Sequence, residues 1–310
     1  MKRCYLVAAF VIVGSARLFA ADDQIAWIPS GSQLLPNAQG QVARVEAAAQ
    51  GDSAEPSKPA APVAAQVVVS AGRRVALVIG NSEYRSVPAL ANPGRDSEAV
   101  ADALRQVGFQ SVTLVNDATR DSMIGELRAF ATAADTADWA LIYYAGHGME
   151  VEGLNYLIPV DAKLASDRDV PLETVSLGQF ISSVDGAKKL RLILLDANRN
   201  NPFANAMKRS AASPSSGRGS ERVKPGAGML VAFAAKHGQI ALDGDGQNSP
   251  FASAFVKHVA TPHIEISKLF IFVRDEVLAA TKGRQEPFTY GSLPGGEKFY
   301  FVTTQAAGKP

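Results

Sequence analysis

Cysteine is almost missing from this chain: Cys4 is the only one in 310 residues. That excludes a disulfide framework and a cysteine-rich zinc site, and it leaves no thiol beyond the first few residues to act as a nucleophile. Net charge is nearly missing as well. With 31 Lys and Arg against 30 Asp and Glu, the formal charge of +1 gives no electrostatic argument for nucleic acid or a membrane surface. The apolar run Tyr5–Val13 falls short of the roughly 20 residues that span a bilayer, and Arg17 puts a charge soon after it, so no membrane span is expected. No G-x-G-x-x-G opens a helix, which disfavours a dinucleotide fold. His237, His258 and His263 lack metal-ligand spacing with any cysteine. The stretch Asp243-Gly-Asp-Gly-Gln-Asn248 starts like a calcium loop, but Ala254 stands where the closing glutamate belongs, so it is read as a plain turn. Neither a metal nor a cofactor is expected.

Two stretches stand out against that background. Leu190-Arg-Leu-Ile-Leu-Leu-Asp-Ala-Asn-Arg-Asn-Asn-Pro-Phe203 reads as a buried parallel strand that ends in Asp196 and a polar loop. Trp139-Ala-Leu-Ile-Tyr-Tyr-Ala145 is a second apolar strand, running into Gly146-His147-Gly148. Open α/β sheets bind ligands at the carboxyl ends of such strands, so the two ends should face each other across a site. A histidine framed by glycines just past a strand suggests an exposed ring and a close backbone approach.

At these residues the chain resembles the caspase-like cysteine peptidases, in particular their bacterial metacaspase or orthocaspase branch. Tyr144–Gly148 match a Tyr-Ala-Gly-His-Gly strand end, and Gly153–Ala162 match a Gly-x-Asn-Tyr-Leu-Ile-Pro-Val-Asp-Ala segment. Leu195–Phe203 match Leu-Asp-Ala-Cys-Arg-Asn-Asn-Pro-Phe with one departure: Asn198 stands where the family has its nucleophile. The resemblance covers nearly all of Arg73–Thr303 and is specific in the blocks around His147, Asp161 and Asp196. It implies that His147 occupies the place of the general acid or base. It also implies that the Gly148 amide and the Asn198 backbone occupy the oxyanion-hole places, and that Asp96 and Asp196 pair to bind a lysine or arginine side chain.

Elementary chemistry qualifies that picture. A Cys-His dyad works because the thiol gives its proton to the imidazole and attacks as thiolate. A side-chain amide has a delocalised lone pair and is a poor nucleophile, so thiol peptidase chemistry is closed to this polypeptide. Asp96 can equally be read as an N-terminal helix cap. Asp196, at a buried strand end, needs a partner for its charge.

Taken in order, Lys2 and Arg3, an apolar core, and small residues at Ala16, Ala20 and Ala21 make residues 1–21 an export signal. Residues 22–72 read as an Ala, Pro and Gln rich tether, broken only by a short helix over Val42–Gln50. The domain proper, 73–303, alternates strand and helix. Strands are expected at Val75–Ile79, Gln110–Val115, the two site strands, Met229–Ala235 and Lys298–Thr303. Helices are expected at Asp96–Val107, from Asp117 or Thr119 to Ala134, and at Ser176–Asp185, Ser249–Val259 and His263–Thr281. Residues 204–228 form an exposed, mobile basic insertion, and 304–310 a tail. Arg284-Gln-Glu-Pro287 reads as a connecting loop without chemistry of its own.

The predicted fold is an α/β caspase-like sandwich with a mostly parallel central sheet of about six strands and helices on both faces. The predicted function is an exported (periplasmic or secreted) pseudopeptidase, a peptide-binding or interaction domain whose partners carry basic residues. The alternative is an active cysteine-type endopeptidase, should Asn198 be an error or an engineered change.

Overall fold

The structure, a computed structural model, describes residues 67–68, 72–198, 201–204, 207–208, 226–236, 239, 241–244 and 246–304. All of them lie in one compact unit, Ala60–Pro310. In chain order the elements are β1 (Val67–Val68), β2 (Arg74–Gly80), α1 (Pro93–Gln106), β3 (Ser111–Asn116), α2 (Arg120–Ala134), β4 (Trp139–Val151) and β5 (Leu154–Leu157). They continue with α3 (Val170–Glu173), β6 (Val175–Ser176), α4 (Leu177–Val184), β7 (Leu190–Asn198), β8 (Met229–Phe233), α5 (Pro250–Val259), α6 (Ile266–Ala280), β9 (Phe288–Ser292) and β10 (Thr303–Thr304). The main sheet has the order β3-β2-β4-β7-β8-β9, parallel throughout except for the last pair. This is the mixed α/β architecture expected.

The side-chain alternation of the strands sorts the core into two layers. Ala76, Val78, Leu141, Tyr143, Leu192 and Leu194 face α1, α5 and α6, whereas Val75, Leu77, Ile142, Tyr144, Ile193 and Leu195 face α2 and α4. Strands buried on both faces need apolar residues at every position, which is why β2 and β7 read as continuous runs. Each large side chain so buried contributes about 1.5–3 kcal/mol. Helix starts follow local chemistry: Thr119 caps α2 through Ser122 N, and Ser176 caps α4 in a capping box with Gln179.

At the amino end of β2 a cation is buried. Arg74 is 1% exposed and donates to the carbonyls of Val107 (3.3 Å), Phe301 (2.9 Å) and Tyr300 (3.2 Å). Its guanidinium lies 4.0 Å from the Trp139 ring centroid and 5.9 Å from that of Phe109. Burial lowers its pKa to about 10.

Several expectations need correction. Helix α1 begins a turn early, at Pro93, so Asp96 sits inside it, and its carboxylate is spent elsewhere than on a cap. β4 does not stop at His147 but runs on to Val151 and turns back into β5, because Glu152 and Gly153 take the left-handed conformations of a tight turn. The final strand of the main sheet is β9, not Lys298–Thr303. The latter segment instead packs Phe299 and Phe301 against Trp139; Tyr300 makes an isolated antiparallel bridge to Glu265, and only Thr303 belongs to a strand, β10. β10 pairs with β1, so the tether is structured at Val67–Val68 and the tail at Thr304. Met207 and Lys208, in the expected mobile insertion, are held: Met207 N donates to Phe203 O and Lys208 N to Ala165 O. Residues 205–206 and 209–225 of that insertion, the export signal and the tether before Val67 lie outside the described residues.

Candidate functional site

The site is built at the carboxyl ends of β4 and β7. These strands are in parallel register, with Ala145 opposite Asp196 and His147 opposite Asn198. His147 and the backbone of Asn198 therefore meet as the sequence suggested. Gly148 is next along β4 and pairs with Leu157 of β5.

The His147 ring is not exposed, as the framing glycines suggested; it is 7% accessible because the loop after β2 covers it. Its Nε2 lies 3.0 Å from the Pro88 carbonyl. A carbonyl can only accept, so Nε2 carries the proton and Nδ1 the lone pair. Among the described residues that Nδ1 is buried without a hydrogen-bond partner. Burial pushes the imidazole pKa below its ordinary value, opposed by the Pro88 carbonyl and the charge of Asp243.

Asp96 and Asp196 do come together. Both line a cavity of about 140 Å³, with Leu90, Gly146, Asp243 and Ser249 among its walls. Helix α1 brings Asp96 this close because Gly80 leaves room: a Cβ there would stand 2.4 Å from both the Pro93 carbonyl and Ser97 Oγ. Asp196 Oδ2 accepts from Tyr143 Oη at 3.1 Å and from Ser249 Oγ. Asp96 Oδ1 accepts from Asn248 Nδ2 and from Ser249 N, both at 2.9 Å. Each acid thus spends one oxygen on the scaffold. Among the described residues, Asp196 Oδ1 and Asp96 Oδ2 have no donor of their own.

Burial raises the pKa of both acids. Asp196 is raised further by the negative charge of Asp96, and Asp243 adds to both. Two carboxylates lining one largely buried cavity favour holding a proton between them or a cation.

Ser249, Asn248, Tyr143 and Asp243 escaped the sequence reading. The segment Ser249-Pro-Phe was legible as a helix start, and Ser249 Oγ does accept from Ala252 N. Nothing in the sequence tied it to two acids 53 and 153 positions away. Asp243, read as part of a turn, is turned inward because its carboxylate accepts the Ala91 amide at 2.9 Å. Gln285, in a loop thought to be without chemistry, is fully buried and supports this wall by donating to Ala234 O and accepting from Leu242 N. Among the described residues no cluster of three or more His, Cys, Asp or Glu could hold a metal ion.

A family model described as the caspase domain (peptidase C14) matches residues 73–295. The chain belongs to that family. The chain is 40% identical over 89 residues to human (Homo sapiens) mucosa-associated lymphoid tissue lymphoma translocation protein 1, a match covering 29% of this chain and 11% of that protein. The Mus musculus homolog is 39% identical over 89 residues, again covering 29% of this chain and 11% of the relative. The chain thus spans about a tenth of the length of the curated relatives it matches. Among solved structures, caspase-1 from Spodoptera frugiperda shares the fold with a TM-score of 0.55 at 17% identity, over 76% of this chain and 91% of that one. The caspase domain therefore accounts for the sheet, its helices and the placing of both site strands.

Proposed function

We propose that this caspase domain is an exported pseudopeptidase that binds peptides through a basic side chain. The observation that carries the reading is the cavity between Asp96 and Asp196, with one oxygen of each acid turned from the scaffold. Two carboxylates at fixed spacing select a guanidinium or ammonium and reject neutral or acidic side chains. Asn198 at the nucleophile place of the metacaspase-like pattern, with no cysteine past Cys4, supports binding without thiol chemistry. The second reading, a cysteine endopeptidase cleaving after Arg or Lys, is favoured by the His147–Asn198 register. Resequencing the codon for residue 198 decides between them.

The test is calorimetric titration of the purified chain with acetyl-Arg-amide, acetyl-Lys-amide and acetyl-Gln-amide. Arg and Lys should bind and Gln should not, and Asp196→Asn should weaken Arg binding by on the order of tenfold or more. The pH dependence comes from the raised carboxylates: they bind protons at pH 5 and lose them as pH rises through neutrality, and only the ionised pair attracts a cation. Affinity should therefore increase from pH 5 to 8. Affinity that is flat or falls over that range contradicts the acid cavity as the binding site.

Among the described residues no helix is long and apolar enough to cross a membrane. The charged, apolar and small-residue succession over residues 1–21 supports export. N-terminal sequencing of the protein recovered from the periplasm or medium should begin close after Ala20 or Ala21. An intact Met1 on all of the recovered protein contradicts export by a cleaved signal.

A further inference from the structure

Among the described residues no carboxylate bonds to the ring of His147. What touches the ring is Tyr84, from the loop after β2: the two ring centroids are 4.6 Å apart, with planes inclined at 55°. The same tyrosine accepts the His147 backbone N–H at 2.7 Å. We infer that Tyr84 is the positioning residue of His147, fixing the imidazole with its ring and the backbone beneath it with its hydroxyl.

The direction of each hydrogen bond is set by the donor inventory. Tyr144 Oη lies 2.8 Å from the His147 carbonyl and 3.0 Å from that of Ile158, and both can only accept, so its proton goes there. Its oxygen is left to accept from Tyr84 Oη at 3.4 Å. Tyr84 oxygen in turn accepts from His147 N. Both backbone polar groups of His147 are thus tied to one tyrosine pair, and the chain of bonds has one polarity.

Gly146 is explained by the same pair. It has φ +151°, and a Cβ there would stand 2.5 Å from Tyr84 Oη and 2.8 Å from Tyr144 Oη. The ring itself is closed in by Tyr84 on one side and the Pro88 carbonyl at Nε2. Tyr84 and Tyr144, both with pKa values raised by burial, remain uncharged, and Asp243 is the anion that acts on the imidazole through space. Tyr84 thus holds the ring in place against the Pro88 carbonyl that sets its tautomer, and keeps water from the ring, whatever residue stands at 198.

The experiment is NMR of the imidazole groups in the full chain, with the His147 signals assigned by their loss in His147→Gln. The parent should show His147 protonated at Nε2, titrating below the ordinary histidine range. Tyr84→Ala, which admits water, should raise the His147 pKa by about half a unit or more and mix the two tautomers, leaving His258 and His263 unmoved. Tyr84→Phe keeps the ring and should leave the titration in place, while amide exchange at His147 quickens on the order of tenfold because its acceptor is gone. A folded Tyr84→Ala with unchanged His147 titration and tautomer overturns the role. If that variant does not fold, an unchanged exchange rate at His147 in Tyr84→Phe overturns it instead.

Discussion

Asn198→Cys should cleave peptides after Arg or Lys that the parent leaves intact. The substitution restores one part among others already placed. Residue 198 sits opposite His147 on a neighbouring strand, about 4.8 Å away across the ladder. The imidazole holds its proton at Nε2 and keeps Nδ1 free to take one from a thiol. Losing a nucleophile costs an enzyme on the order of 10⁶ in turnover, so regaining one should raise cleavage at least about 10³-fold over the parent. Adding Asp196→Ala removes one of the two acids and should abolish the preference for basic residues. The measurement compares fluorogenic peptides ending in Arg, Lys, Asp or Leu across the three proteins. A silent Asn198→Cys with an unchanged circular dichroism spectrum would mean that the remaining parts no longer form a reaction site.

The largest expected effect on folding lies at Arg74. Arg74→Ala removes the donor to three carbonyls and the cation over Trp139. Unsatisfied buried acceptors cost about 1–3 kcal/mol each before relaxation, and a desolvated cation–π contact contributes about 2 kcal/mol. Water entering the gap recovers part of this, leaving an expected loss of about 3 kcal/mol. Urea denaturation should show it as a lowered midpoint with an unchanged slope. Arg74→Lys keeps a charge but not the planar fork that serves Phe301 and Tyr300 together, and should fall between the two. A midpoint shift in Arg74→Ala worth less than about 0.5 kcal/mol, the level of an ordinary surface change, contradicts the staple.

Most of the sheet was legible because its strands are buried on both faces and so are written in unbroken apolar runs; β2 and β7 are examples. β9 was not, since it is an edge strand of five residues, four of them exposed, whose Phe288 and Tyr290 make too short an alternation to mark it. Phe299 and Phe301 misled in the opposite sense. Their alternation mimics a strand, but they alternate because they pack edge-on to Trp139 and flank a carbonyl that Arg74 needs. At the site, Asp196 and His147 could be found from strand ends, a purely local signal. Asp96 stayed open between cap and pocket, because the choice depends on whether α1 starts at Pro93 or three residues later. Ser249 and Tyr84 act through contacts distant in sequence, with partners 53 and 63 positions away, and no local pattern announces them.

Arg74 and the acid pair lie at opposite ends of the sheet, separated by the length of β2, six residue steps or about 20 Å. The Arg74 cluster that ties β2 to the last segment is therefore separate from the acid cavity. A change at residue 198 leaves the Arg74 cluster untouched, so on the proposed reading the domain stands one codon away from a different chemistry. Working and silent copies of such a sheet would be equally sound as folded objects. Selection could move a lineage between them without passing through an unstable intermediate.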